Sequence, residues 1–510
     1  MRILLTTIKT DNKKSDLEMK YLYGVLVDAP IEMEMRSYDK FKGIEDIYED
    51  IMGGYFDLVY MHTDSENISQ IKALAQMVKK AAPETGIMLG GMEVSFETHD
   101  FMRDNPYVDY VVRGEAETVM YNFIKSVIEM DYQFETMAGL AFRTPDGIVV
   151  NPFDDPIDMS ELPFPYERCE PDSRIVYYES MRGCSDRSIH RQYLPDPRIR
   201  TLNISRVCSE LRYFMEKNAD RVVFLDNWFN FNSERAYRIF EYIIYNDNKK
   251  TSFEFNINGD NLDEETIRLL ADARKGLFTF NIDIGSTNAE VLDAMGRRAN
   301  VYQLMYNVTK LMREGVVDII ISVASGLPYE TETMFARSFN KAYGLADGMP
   351  IHIEPLYAHK GCTIRKQAER YGYIHSDVAP YEVISSGHMS AAQLLLIRKI
   401  SRVVDAYLGQ DCFKESFRRM LNDTGVRPYE LFKSLSIYYR DSADESKLGK
   451  KDCKARVLHA FAKELYSELC EEGKFERFEK VMRIDLEDYL TSSELKKFDK
   501  YGWDGEPQDE

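Results

Sequence analysis

The sequence predicts an α/β protein in which two parallel-sheet domains precede a helical one. Three observations carry that prediction. Residues 1–150 alternate short apolar runs with amphipathic segments; the alternation returns over 173–370, after a proline-rich stretch; from 371 the pattern turns helical and charge-rich. Repetition of strand and helix patterns builds parallel sheets flanked by helices, and ligands of such sheets sit at the carboxyl ends of the strands. The 510 residues exceed one ordinary core, and 44% apolar content suffices for several.

In the first domain, residues 2–8 read as an apolar strand, 17–27 as a helix, 32–36 as a strand, 44–52 as a helix and 57–61 as a buried strand. Over 68–81, Ile68, Ile71, Leu74 and Val78 fall on one helical face. The strand at 86–89 ends in Gly90-Gly91, a pair suited to a tight turn that lets backbone approach a ligand. A strand at 108–112 and a helix from Glu115 follow, and Pro145-Asp146-Gly147 closes a hairpin. Residues 151–172, with Pro152, Pro156, Pro163, Pro165 and Pro171, form a linker.

The second domain has strand patterns at 175–178, 221–225, 252–256, 278–284, 318–323 and 351–355, with helical patterns between them. Six such units predict a full or partial barrel with its chemistry at the strands' carboxyl ends. Beyond 370, residues 393–408, 451–472 and 475–482 read as helices, and 504–510 as a frayed end.

Bulk composition excludes several classes. A net charge of -20, from 85 acidic and 65 basic residues, argues against sequence-independent nucleic-acid binding. Seven dispersed cysteines do not make a disulfide framework and suit a reducing compartment. No run approaches the roughly 20 apolar residues of a membrane span. The N-terminal run lacks the features of a signal peptide, so a cytoplasmic location without a membrane partner is expected.

The segment Val176-Tyr177-Tyr178-Glu179-Ser180-Met181-Arg182-Gly183-Cys184 resembles the first strand and cluster loop of radical-SAM enzymes. Upstream, Leu89-Gly90-Gly91-Met92-Glu93-Val94-Ser95 and Asp109-Tyr110-Val111-Val112-Arg113-Gly114-Glu115 resemble the cobalamin-binding domain fused to many of them. Downstream, Phe224-Leu225-Asp226-Asn227-Trp228-Phe229-Asn230, Ser286-Thr287-Asn288 and Gly326-Leu327-Pro328-Tyr329-Glu330 resemble later barrel strands. The tail from Glu369-Arg370-Tyr371-Gly372 is similar to an uncharacterised C-terminal domain of one subgroup. The resemblance implies a Rossmann-like (flavodoxin-like) cobalamin-binding domain, a partial TIM barrel of radical-SAM type and a helical C-terminal domain. It also implies cobalamin contacts at Gly90, Gly91, Glu93, Ser95, His62, Thr63, Gly114 and Glu115, with S-adenosylmethionine (SAM) near Ser322 and Gly326. His62 reads either as an axial ligand to cobalt or as a surface-loop residue.

The family pattern C-x3-C-x2-C is broken: Cys184 is followed by Ser188 and Arg191. Iron–sulfur clusters are held by thiolates. A serine hydroxyl is barely acidic, and a guanidinium stays protonated. Cys184 alone cannot hold a [4Fe–4S] cluster, so one is not expected. An acidic residue usual at the SAM ribose is Ser322 here.

The loop 182–200 carries Arg182, Arg187, Arg191, Arg198 and Arg200 against Asp186 and Asp196, which suits an anionic group, since arginine binds carboxylate and phosphate bidentately. The same arginines pairing with nearby acids is the alternative. Asp226, Glu179 and Arg191 are the candidate catalytic residues, Asp226 with a helix cap as its other reading. Glu354, His352 and His359 gather near the last strand with weak metal spacing; Cys362 and Cys208 read as small buried hydrophobes. The expected function is cobalamin- and SAM-dependent methyl transfer to a small anionic substrate. The alternative is a non-catalytic cobalamin-binding or scaffold partner of an active paralogue.

Overall fold

The computed structural model describes residues 1–10, 14–169, 174–184, 188–192, 198–348, 350–409, 412–441 and 448–503. Seven strands form the first sheet: β1 (Arg2–Ile8), β2 (Glu32–Tyr38), β3 (Leu58–His62), β4 (Gly86–Gly90), β5 (Tyr110–Val112), β6 (Leu140–Thr144) and β7 (Gly147–Val150). Their order is β2-β1-β3-β4-β5-β6-β7. The first five are parallel, and β6 and β7 add an antiparallel edge. The order 2-1-3-4-5 is flavodoxin-like, with its switch point between β1 and β3. The sheet is apolar on both faces: Leu4, Val59, Ile87 and Val111 enter one core, and Ile3, Leu5, Tyr60 and Met88 another. That double burial is what continuous apolar strands flanked by helices demand.

After β8 (Ile175–Tyr178), a short antiparallel pair, β9 (Met181–Arg182) and β10 (Arg200–Thr201), interrupts the alternation. Then come β11 (Arg221–Phe224), β12 (Ser252–Asn256), β13 (Phe278–Gly285), β14 (Asp318–Ser325) and β15 (Ile351–Pro355). The six long strands run parallel in the order β15-β14-β13-β12-β11-β8, a partial barrel. Phe253, Phe255, Phe278, Phe280, Ile321 and Ile353 alternate outward into the core shared with the surrounding helices. The intervening positions are polar. Glu254 pairs with Arg221 (3.3 Å) and accepts from Asn281 Nδ2 (3.0 Å), so the concave face is hydrophilic.

The helical region packs on the open edge. Helix Ala391–Tyr407 lies on β15, where Ser401 Oγ donates to the Ile353 carbonyl (3.0 Å). This covers an edge strand that would otherwise invite pairing. Ile397, Ile400, Val404 and Tyr407 extend the barrel's apolar core into the helices that follow. Among the described residues no helix is long and apolar enough to cross a membrane.

The Gly-Leu-Pro-Tyr-Glu turn after β14 closes on itself. Gly326 adopts φ +82, and the amides of Gly326 and Leu327 donate to Glu330 Oε2 (3.1 and 3.3 Å). Glu330 is fully buried with no ion-pair partner among the described residues, and burial pushes its carboxyl up to about 8 despite those two bonds. Between the usual value of 4.5 and about 8 the folded state therefore holds a proton that the unfolded state has lost. Stability at this site falls as pH rises through that window, by on the order of a few kcal/mol in all. Glu330→Gln mimics the protonated acid. Thermal midpoints measured from pH 5 to 9 are expected to show the variant gaining on the wild type as pH rises.

Candidate functional site

The two parallel sheets present their carboxyl ends to each other across a cavity of about 680 Å³. From the first domain come His62 at the end of β3 and Thr63 beyond it, Gly91 and Glu93 after β4, and Gly114 and Glu115 after β5. From the barrel come Glu179 after β8, Asn227 after β11, Glu354 on β15, and Cys184, His190 and Arg191 of the loop beyond β9.

The floor beneath the switch point is tightly fixed. Asn67 is fully buried; its Nδ2 donates to the carbonyls of Ile8 (3.1 Å) and His62 (3.3 Å), tying β1 to β3. Asp64 Oδ1 accepts from the amides of Glu66 and Asn67 (2.8 and 3.0 Å). Thr63 reaches the Gly90 carbonyl through both its amide (2.8 Å) and its hydroxyl (2.7 Å). Gly91 has φ +101, and a Cβ there would collide with the Thr63 carbonyl oxygen. His62 ends β3 with its ring buried and Nδ1 3.1 Å from Glu18 Oε2, so it is not a surface-loop residue.

Arg182 and Arg200 stand opposite each other on the β9–β10 pair. Arg182 reaches Glu117 (2.6 Å), Glu179 (3.1 Å) and Glu115 (3.7 Å), and Arg200 pairs with Glu115 (2.5 Å). Burial opposes the Arg182 charge, yet the glutamates around it, Glu117 first, hold its guanidinium well above its ordinary value. Burial likewise opposes the charge on Glu115, and Arg200 and Arg182 bring its carboxyl below the usual range. A second seam joins the domains through Lys360–Glu93 (3.0 Å) and Arg365–Glu97 (3.0 Å), and Tyr381 donates its hydroxyl to Glu93.

These pairings settle where the expected residues stand. His62, Thr63, Gly91, Glu93, Gly114, Glu115, Glu179, Arg191 and Cys184 share the cavity wall. Gly90 does not; its missing side chain makes room for the Tyr60 ring. Ser95 bridges Gly91 and Gly114 from behind, accepting from the Gly114 amide (2.9 Å) and donating to the Gly91 carbonyl (2.8 Å). Ser322 and Gly326 also lie off the wall. Asp226 is buried beside it, where Oδ1 accepts from the amides of Ser180 (2.8 Å) and Met181 (3.2 Å) and Oδ2 from the Ser180 hydroxyl. Burial pushes the Asp226 carboxyl up to about 6, against Arg235 and the Ser180 bonds. It clamps the loop that carries Arg182 and Cys184. It caps no helix, since Asn232 caps the next one.

The arginine-rich loop does not meet the expectation of a ready anion receiver at Arg182 and Arg200. Glutamates from the first domain already take both. Arg187, Asp186 and Asp196 lie outside the described residues. Eight acidic side chains line the cavity against three arginines, which disfavours an anionic guest. Sequence reasoning missed Glu18, Glu117 and Asn227 as wall residues. The place of Glu117 in the first turn after Glu115 was the one available signal. Of the group near the last strand, Glu354 and His359 face the cavity, while His352 turns to Asp405 (2.7 Å).

A three-thiolate cluster does not fit these residues. Cys184 is the one cysteine on the wall, and the loop's next two cluster positions hold Ser188, fully buried, and Arg191. Cys362 stands close behind the loop, where the Ile364 amide donates to the Ile189 carbonyl (2.8 Å). It is fully buried in an apolar cluster, and burial pushes its thiol up, against the thiolate a cluster needs. Among the described residues no three His, Cys, Asp or Glu side chains converge on a metal site. A corrinoid fits better. Gly91 and Gly114 leave the backbone open at the strand ends, and buried Glu93 Oε2 has no hydrogen-bond partner, an acceptor suited to a corrin's peripheral amides.

Residues 1–124 match the family model of the B12 binding domain, and residues 183–342 that of the radical SAM superfamily. The chain carries a B12 binding domain followed by a radical SAM domain. Its residues 369–507 match a protein family of unknown function, DUF4080. The chain is similar in fold to the cobalamin-dependent SAM radical enzyme OxsB (TM-score 0.65, 12% identity, 96% of this chain and 84% of that one). It is also similar in fold to the radical SAM methyltransferase TsrM of Kitasatospora setae, solved with tryptophan and a SAM analogue (TM-score 0.59, 15% identity, 78% and 82%). A stretch of 126 residues is 28% identical to the anaerobic magnesium-protoporphyrin IX monomethyl ester cyclase of Rubrivivax gelatinosus, covering 24% of this chain and only 22% of that enzyme.

Removing Arg182 leaves three glutamates together in a buried seam. Arg182→Met is expected to cost about 3–5 kcal/mol near neutral pH, the range for breaking a buried ion pair. Because Glu115 is held below its usual carboxylate range and favours folding only while ionised, the deficit shrinks as pH falls. Urea denaturation of both proteins at pH 7 and pH 5 measures it.

Proposed function

We propose that the protein binds cobalamin against the first domain and SAM against the barrel, and transfers a methyl group between them without a [4Fe–4S] cluster. The observation that carries this reading is the single cavity shared by the carboxyl ends of both sheets, with one cysteine on its wall. Bound cobalamin supplies a cobalt centre able to accept and hand on a methyl group, and SAM supplies the methyl group. The residues of the chain do the rest. Thr63, Gly91, Glu93 and Gly114 line the edge on which a corrin lies, and the Arg182 seam fixes the distance between the domains. Asp226 sets the course of the loop between the two guests. The surplus of carboxylates supports a neutral or cationic methyl acceptor over the anionic one that the loop's arginines suggested.

The products of SAM decide the matter. Protein supplied with cobalamin, SAM and a low-potential reductant is expected to form S-adenosylhomocysteine, dependent on cobalamin, and no 5′-deoxyadenosine. Formation of 5′-deoxyadenosine would contradict the reading. Bound cobalamin with neither product would favour the scaffold alternative.

A further inference from the structure

Three acceptors stand together in the barrel half of the cavity. Glu354, on the last barrel strand, projects into it: the side chain is wetted there, although protein encloses it. Ser322 donates a hydrogen bond to it, and among the described residues it has no ion-pair partner. Five of the other seven wall carboxylates differ. Glu115, Glu117 and Glu179 are held by arginines, Glu93 by Lys360, and Asp64 by backbone amides. Asp283, the second acid near Glu354, is taken by Arg297 (2.9 Å). His190 and His359 line the same end, and Nδ1 of each is buried with no hydrogen-bond partner. Burial drives both rings toward the neutral form, His190 down to about 4, so neither brings a competing positive charge. Burial and Asp283 raise the Glu354 carboxyl even though Ser322, Arg191 and His352 pull it down, and a cation placed directly beside it would offset the remaining cost.

SAM carries two positive groups at its methionyl end, a sulfonium and an ammonium. With one cysteine on the wall, the cluster-free reading leaves that end without iron to grip it. We propose that Glu354 is the specificity-determining residue for SAM, reading the positive charge of its methionyl end. The inference rests on the SAM use proposed above. A charged contact of this kind in an enclosed site is worth about 1.5–3 kcal/mol, or roughly ten- to a hundredfold in affinity.

Equilibrium binding to the cobalamin-supplied protein tests it, with SAM, S-adenosylhomocysteine and neutral methylthioadenosine as probes. Glu354→Gln is expected to weaken SAM by at least about tenfold while leaving methylthioadenosine and cobalamin binding unchanged. S-adenosylhomocysteine then says which group is read: unchanged affinity assigns the sulfonium, and a loss matching that of SAM assigns the ammonium. Unchanged SAM affinity in Glu354→Gln, or an equal loss for methylthioadenosine, overturns the assignment of Glu354 while leaving the proposed function standing. Failure of the wild type to bind SAM at all overturns both.

Discussion

Arg182 is buried between two domains with a glutamate on every side that matters. Glu115 and Glu117 come from the helix start after β5, and Glu179 from the end of β8. A buried guanidinium is tolerable only when its donors are used and its charge is matched. Satisfying it therefore fixes how the carboxyl ends of the two sheets approach one another. The cavity, its lining and the course of the cysteine loop all follow from that one requirement. Asp226 sets the near side of the same loop, and Lys360 and Arg365 stitch the far side of the cavity through Glu93 and Glu97. The site is thus held by charge matching across an interface rather than by either domain alone.

Much of the fold was legible because the barrel strands alternate apolar with polar positions, while β1, β3 and β4 are nearly continuous apolar runs. Parallel strands buried on both faces leave that trace, and the amphipathic helices between them leave theirs. The β9–β10 pair left none: two residues a strand, with arginines facing each other, carry no period to read. The site was half legible. Gly91, Glu93, Gly114, Glu115 and Glu179 stand at strand ends, where a parallel sheet places its ligands. Sequence gives that position but not the direction in which a side chain turns, so Asp226 and Ser95 looked alike to their neighbours and lie behind the wall. The charge of the arginine loop misled for a related reason. Its own acids were counted, whereas the partners of Arg182 and Arg200 come from 65 and 85 residues away.

The cavity now holds a chemical contradiction for the family's usual cofactor set and an invitation for part of it. The barrel mouth has one thiol where three thiolates are needed, and Cys362, behind the loop, is buried in an apolar cluster. The first domain, by contrast, keeps a rigid strand-end edge with an unpartnered carboxylate oxygen on Glu93. Polar methyl transfer needs the corrinoid edge and a grip on SAM, and needs no electron from iron. Glu354, facing two neutral imidazoles, is the residue we propose for that grip.

The most direct measurement is the metal content of protein purified without oxygen and supplied with cobalamin, iron and sulfide. About one cobalt and no iron per chain is the expected result, since a [4Fe–4S] centre is held by cysteine thiolates that this cavity lacks. About four irons per chain would contradict it, and would mean that Cys184 recruits ligands that the geometry of the cavity does not offer.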